Sequence, residues 1–148
     1  MNKYLAIILT LFVLTFAAAG TALACSCMVE DIPVEAQITK SYDGAAAVFT
    51  GKVTRIEMTP AGLEVKVHIK VTKSWKGNVR GEIIVKTARD SSMCGYQFLK
   101  GKTYLVYASG SPKELGVSNC SRTALADKNN DIEYVGELAR KKKSAKKQ

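Results

Sequence analysis

The positions of the four cysteines constrain this chain more than any other feature of its sequence. Cys25 and Cys27 directly follow residues 1–24, which contain an early lysine, an apolar core and a small-x-small pattern that ends at Ala24. These are the features of a secretory signal peptide, so we predict cleavage after Ala24 and a mature chain that begins with Cys25. A membrane-spanning helix and lipoprotein processing at Cys25 are the alternatives. The prediction places the protein outside the cytoplasm, either secreted or in the periplasm or cell envelope.

The other two cysteines, Cys94 and Cys120, bring the total to an even number. An even number of cysteines in a small exported chain is typical of a disulfide framework. A bond between Cys25 and Cys27 would close a strained ring, so long-range pairs are favoured, but sequence alone does not choose among them. We therefore expect a mature N-terminus that is stapled to the body of the domain.

The formal net charge of +9 comes largely from the end of the chain. Segment 140–148 contains six basic residues, namely Arg140, Lys141, Lys142, Lys143, Lys146 and Lys147. We interpret this segment as a basic, disordered tail that is a solvated chain end, with attraction to an anionic envelope surface as the alternative. No nucleic-acid motif is recognisable, and we do not expect an exported chain of this kind to bind nucleic acid.

Residues 25–139 are predicted to form one mainly β domain. Leu63–Trp75 is the clearest strand, because apolar residues alternate with polar ones along it. Further strands are predicted at Ala46–Met58, Glu82–Thr87, Thr103–Ala108 and Leu115–Val117, and helices at Pro33–Gly44 and Asp131–Lys143. Five strands with one helix near each end favour a closed, OB-fold-like barrel. Gly51 within the first strand predicts a bulge or a bend.

Several motifs together resemble a known family. They are Cys25-Ser26-Cys27 at the predicted mature start, the strand and aromatic-Lys-Gly turn of Val67–Gly77, the Cys-Gly-Tyr element within Met93–Tyr96, and Asn119-Cys120-Ser121. Across nearly the whole mature chain the sequence resembles a single-domain, bacterial-type version of the N-terminal, netrin-like domain of the tissue inhibitors of metalloproteinases. The cysteines of that domain's third disulfide have no counterpart here, and the family's C-terminal domain is replaced by the basic tail.

The resemblance implies an OB-fold barrel, disulfides Cys25–Cys94 and Cys27–Cys120, and inhibition of zinc metalloendopeptidases. In this interpretation the free amine and the carbonyl of Cys25 chelate the protease's zinc, which keeps one coordination position open. The ridge that contacts the protease consists of Ser26, Cys27, Met28, Ser92 and Met93. The resemblance implies no catalytic residue, no cofactor and no metal of the protein's own.

Two other functions stay open from the sequence. The first is a netrin-like scaffold module without inhibitory activity, whose basic tail contacts the envelope. The second is a thiol-disulfide redox protein, which requires free thiols. Enzymes of other kinds are disfavoured, because His68 is the only histidine and cannot by itself build a histidine-based metal site or catalytic triad. His68 lies on the polar face of its strand, and we expect it to be exposed to solvent.

Overall fold

The structure is a computed structural model that describes residues 25–28, 30–128 and 131–145. The predicted signal peptide 1–24 with its cleavage position lies outside the described residues, as do Lys146 and Lys147 of the predicted tail. None of the helices in the described part of the chain has the length and apolar character needed to cross a membrane.

The described chain is built mainly from β-strands, with one helix near each end. Helix α1 is Val34–Gly44, and it is followed by β1 Ala47–Met58, β2 Glu64–Lys76, β3 Glu82–Ala88, β4 Thr103–Ser111, β5 Glu114–Gly116, β6 Ala124–Leu125 and helix α2 Asp131–Ala145. Short 3-10 turns form at Ser91–Met93 and Ala126–Lys128. The strands pair in the order β1-β2-β3-β5-β4, and β1 also pairs with β4. The predicted five-stranded closed barrel with a helix near each end is therefore confirmed.

Strand β5 completes the closure of this barrel. It runs parallel to β3 and antiparallel to β4, so it fills the position between them. The sequence pattern had indicated a short edge strand at Leu115–Val117, whereas the strand lies inside the sheet. Strand β6 pairs with Tyr104 and Leu105 of β4, and its two residues are too few to produce a sequence pattern.

Gly51 allows β1 to pair with a neighbour on each side. It lies opposite Val71 of β2 and Tyr104 of β4, and the register with β2 shifts between Thr50 and Gly51. A side-chain Cβ at this position would lie 2.5 Å from a methyl group of Ile69. The predicted irregularity at Gly51 is confirmed, and its cause is the close approach of β2.

Two clusters of buried side chains hold the barrel and its helices together. The first fills the interior and includes Phe49, Val53, Ile69, Val85 and Val106. The second lies between the barrel and the two helices and includes Ile38, Tyr42, Val48, Leu105, Tyr107 and Val135. Burial of this apolar surface is the main stabilising contribution to the fold. It fixes α1 and α2 against the outside of β1 and β4.

The C-terminal helix extends into the basic segment. The sequence predicted both a helix as far as Lys143 and a disordered tail from Arg140, and in the structure helix α2 continues through residues 140 to 145. Arginine, lysine and alanine are good helix formers, which accounts for the extension. The Lys142 ammonium also lies 2.9 Å from an oxygen of the Asp43 carboxylate at the end of α1.

His68 is buried, so the prediction that it is exposed is wrong. Only 6 % of the residue is accessible, although it points away from the barrel interior. Its Nε2 atom lies 3.1 Å from Glu57 and its Nδ1 atom 3.4 Å from Glu82, and Arg55 contacts both ring nitrogens. Long charged side chains from the neighbouring strands β1 and β3 therefore cover the imidazole ring.

Candidate functional site

Two disulfides join the predicted mature N-terminus to the barrel. The bonds are Cys25–Cys94 and Cys27–Cys120, and the Cα atoms are 5.2 Å apart in each pair. These are the pairs that the family resemblance implied. The Sγ atoms of Cys25 and Cys120 lie 3.8 Å apart, so the two bonds form one sulfur cluster at the protein surface.

The loop that carries Cys94 is held in a tight turn. The backbone N–H of Cys94 donates to the Ser91 carbonyl at 3.1 Å, and that of Gly95 donates to the Asp90 carbonyl at 2.8 Å. Cys94 itself adopts a left-handed conformation with φ of 63°. The turn brings Ser92 and Met93 immediately before the cysteine to which Cys25 is bonded.

Gly95 is required by the space that surrounds it. A Cβ atom there would lie 2.1 Å from the Ala88 carbonyl oxygen and 2.7 Å from the Asp90 carbonyl oxygen. Both of these neighbours are backbone atoms, which cannot rotate away as a flexible side chain can. The glycine of the Cys-Gly-Tyr element therefore lets the turn lie flat against the end of β3.

The Asp90 carboxylate stabilises the same turn from its first residue. It accepts a hydrogen bond from the Ser92 hydroxyl group. This hydrogen bond is the largest of the effects that hold the pKa of Asp90 below its ordinary value, and smaller contributions come from the Met93 backbone and from Arg89. At neutral pH the site therefore contains a carboxylate that orients Ser92.

Asn119 connects the loop of Cys94 with the loop of Cys120. Its backbone N–H donates to the Cys94 carbonyl at 2.9 Å, and its side-chain amide donates to the Ser91 carbonyl at 3.4 Å. Its Oδ1 atom lies 3.4 Å from the Cys25 sulfur. Asn119 thus holds the two disulfide loops in register, a role that the cysteine spacing did not reveal.

The residues of the predicted ridge are mostly exposed. Met28 is 93 % exposed and Met93 is 40 % exposed, and Ser26, Cys27 and Ser92 are also at the surface. Cys25 is half-buried. The disulfide Cys25–Cys94 brings segments 25–28 and 91–94 together, as the resemblance implied. Each of the two segments therefore presents a methionine side chain at the surface.

A partly buried ion pair anchors the chain just after Cys120. The Arg122 guanidinium donates two hydrogen bonds to the Asp131 carboxylate at the start of α2, and a third, at 3.2 Å, to Gln37 of α1. The hydrogen bonds to Asp131 raise the pKa of Arg122. Sequence reasoning missed this pair, because no local pattern connects Arg122 with Asp131.

Neither a protein-family model nor a curated protein matches this chain.

The geometry of the sulfur cluster also bears on metal binding. The Sγ atoms of Cys25, Cys27 and Cys120 lie within 4.8 Å of one another, a spacing that three thiolate ligands of one ion could have. A metal requires deprotonated thiols, however, and each of these sulfurs is part of a disulfide. In this oxidised form the cluster fixes the backbone and leaves no thiolate.

Proposed function

We propose that the mature chain, beginning at Cys25, is an exported inhibitor of zinc metalloendopeptidases. The single observation that carries the proposal is the bond from Cys25 to Cys94, which fixes the first residue of the predicted mature chain beside an exposed turn. The resemblance to the tissue inhibitors of metalloproteinases supplies the target class. Inhibition then requires no catalytic residue, because the chain end itself is the ligand.

The chemistry depends on the α-amino group of Cys25. A catalytic zinc has three protein ligands and one position for water or substrate. An α-amine and the carbonyl of the same residue can occupy that position together. The amine must be neutral to donate its lone pair, and its ordinary pKa of about 7.7–8.0 makes the neutral form accessible near physiological pH. Binding therefore releases a proton, and affinity should decrease in acid.

The disulfides lower the cost of presenting this group. A free chain end would lose conformational freedom on binding, whereas an end that is already fixed loses little. Cys25 is bonded to the barrel, and Cys27 is bonded two residues later. In the proposed complex Ser26 enters the specificity pocket, and its small hydroxyl side chain permits a broad range of targets.

The exposed side chains around the disulfides supply the rest of the contact surface. Met28 extends one side of the cleft, and Ser92 and Met93 form the second lip. Methionine adapts its shape to irregular surfaces, which suits a contact with several related proteases. The hydrogen bond from Ser92 to Asp90 orients the Ser92 side chain of this lip.

The two alternative functions are a thiol-disulfide enzyme and a non-inhibitory scaffold module. A thiol-disulfide enzyme needs reactive free thiols in its reduced form, and the structure describes a form in which all four cysteines are paired. A scaffold module with a basic surface is compatible with the same fold, because a fold does not determine a function. The compartment proposed from the sequence, outside the cytoplasm, agrees with a protein whose cysteines are oxidised.

The test compares three forms of the protein. The first begins with Cys25, the second has one alanine added before Cys25, and the third has one alanine added after Gln148 as a control of equal composition. All three are assayed against a panel of zinc endopeptidases after mass spectrometry has confirmed their N-termini and disulfides. We expect the first and third forms to inhibit equally and the second to be weaker by about a hundredfold or more, a loss of roughly 2.7 kcal/mol. Equal inhibition by all three would exclude chelation, and no inhibition of any enzyme would reject the proposed function.

A further inference from the structure

We propose that a groove between helix α2 and the end of strand β2 binds an acidic polysaccharide. The groove has a volume of about 640 Å³. Its lining includes Lys73, Trp75, Lys76, Arg140, Lys142 and Lys143. No disulfide or ridge residue lines it, and this proposal does not depend on protease inhibition.

The charges in the groove have one sign. Among the described residues, five basic side chains line it and no acidic side chain does. Two of these cations have partners: Lys142 pairs with Asp43, and the Lys76 ammonium donates to the backbone carbonyls of Tyr42 and Asp43. The other three, Lys73, Arg140 and Lys143, are available to a ligand.

Lys73, Arg140 and Lys143 form no ion pair within the described part of the chain. The Lys73 ammonium lies 5.1 Å from the centre of the Trp75 ring, a position typical of a cation–π contact. Arg140 and Lys143 follow one another by three residues on α2, so they share one face of that helix. A concave surface that is lined by charges of one sign concentrates counter-ions, which favours an anionic ligand.

The two walls of the groove are fixed elements. Helix α2 is anchored by Val135, which is fully buried, and by the ion pair of Lys142 with Asp43. The end of β2 is paired with β1, where Lys76 lies opposite Val48 and Ser74 opposite Phe49. Charges on such elements lose less freedom on binding than charges on a disordered tail. Because residues 140 to 145 are helical, their basic side chains form a defined binding site for an anion and not only a diffuse positive charge.

The shape and composition of the groove favour a polysaccharide over a membrane. A bilayer surface is flat, and proteins that attach to it insert exposed apolar side chains between the lipids. The large apolar side chains that are exposed in the described chain, including Met28, Met58 and Leu63, do not line this groove. Trp75 instead supplies an aromatic ring beneath the Lys73 ammonium, while the Nε1 edge of that ring is buried. The guanidinium of Arg140 can bind a carboxylate or a sulfate with two hydrogen bonds.

The experiment uses the mature protein, residues 25–148, with heparin, polygalacturonate and anionic phospholipid vesicles as probes. The groove variant is Lys73→Gln/Arg140→Gln/Lys143→Gln. The matched control is Lys52→Gln/Lys100→Gln/Lys113→Gln, which removes the same charge from exposed residues outside the groove. Circular dichroism and thermal unfolding establish that both variants fold.

We expect the wild-type protein to bind at least one of the two polysaccharides. The groove variant should bind it about tenfold more weakly, and the control variant within about threefold of the wild type. The groove variant should also depend less steeply on salt, since fewer ion pairs are screened. Equal losses in the two variants would show that the charge acts diffusely and would overturn the proposal. Binding to the vesicles alone, or to none of the three probes, would overturn it as well.

Discussion

The Sγ atoms of Cys25 and Cys120 belong to different disulfides and lie 3.8 Å apart. The two disulfides are therefore close enough to react with one another. A thiolate that is formed at one of these atoms lies next to a sulfur of the other bond. Thiol–disulfide exchange proceeds by attack of a thiolate on a disulfide sulfur, and this arrangement supplies both partners.

The first prediction concerns this exchange in a Cys27→Ser protein. The free Cys120 thiolate should attack Cys25, form a Cys25–Cys120 bond and release Cys94 as a thiolate. At alkaline pH, where the thiol ionises, peptide mapping by mass spectrometry after acid quenching should find both Cys25–Cys94 and Cys25–Cys120. The Cys27→Ser/Cys120→Ser protein is the control and should keep Cys25–Cys94 alone. Finding that pair alone in the Cys27→Ser protein as well would contradict the prediction.

The second prediction concerns Gly95. Replacement by alanine forces a Cβ against two backbone carbonyl groups. We expect the Gly95→Ala protein to lose about 1–3 kcal/mol of the free energy of unfolding, or more if the turn cannot move. Gly44→Ala is the control, because no atom of the described residues lies within 4 Å of a Cβ at that position. Denaturant unfolding measures both, and equal stability of the two variants would show that the turn is not as tightly packed as described.

The third prediction concerns the pKa of Asp90. Its hydrogen bond from Ser92 lowers the pKa from the ordinary value of 3.8. The Ser92→Ala change should therefore raise the pKa of Asp90, whereas Ser91→Ala should leave it unchanged. NMR titration of the carboxyl carbon measures the pKa in each protein. An unchanged pKa in the Ser92→Ala protein would remove Ser92 as the main cause.

The sign of the pH dependence follows from the same shift. The pKa of Asp90 is lower in the folded protein, so the unfolded chain binds the proton more readily. The stabilisation by the carboxylate is complete above pH 3.8 and is lost as the pH falls through the folded pKa. Because the group is exposed, solvent screening keeps this contribution small. We expect protonation of Asp90 to loosen the turn at residues 90–95 and to change the free energy of unfolding of the barrel only slightly.

The fourth prediction concerns the ion pair of Arg122 with Asp131. The two side chains are 27 % and 9 % exposed. Replacing Arg122 by glutamine leaves a buried carboxylate without its cation, and we expect a loss of about 2–4 kcal/mol in the free energy of unfolding. Arg80→Gln is the control, because Arg80 is exposed and forms no ion pair within the described residues. Similar losses in both proteins would contradict a structural role for the Arg122 pair.

The sequence predicted the barrel well, because its strands carry strong local signals. The alternation along Leu63–Trp75 is a property of a few neighbouring residues, and the structure places β2 within one residue of those bounds. Gly51 marked the irregularity of β1 for the same reason. The disulfide pairs could not be derived from spacing, and only the family resemblance supplied them.

Contacts between distant residues account for what the sequence did not predict. His68 was assigned to a polar face, but its exposure depends on Glu57 and Glu82 of the neighbouring strands. Helix α2 extends two residues beyond the predicted end at Lys143, and its Lys142 contacts Asp43, which is 99 positions earlier in the chain. Asn119 became part of the site only through its contacts with the loop of Cys94. Such partners are set by the tertiary fold and leave no local pattern.

The most direct test of the central claim is the visible absorption spectrum of a cobalt-substituted endopeptidase that the protein inhibits. Cobalt takes the place of zinc and reports the ligands in its coordination sphere. Addition of the form that begins with Cys25 should change the cobalt bands, because an amine nitrogen replaces the bound water. The form with one alanine before Cys25 should leave them unchanged. Inhibition by the first form without any change in the cobalt bands would contradict the account.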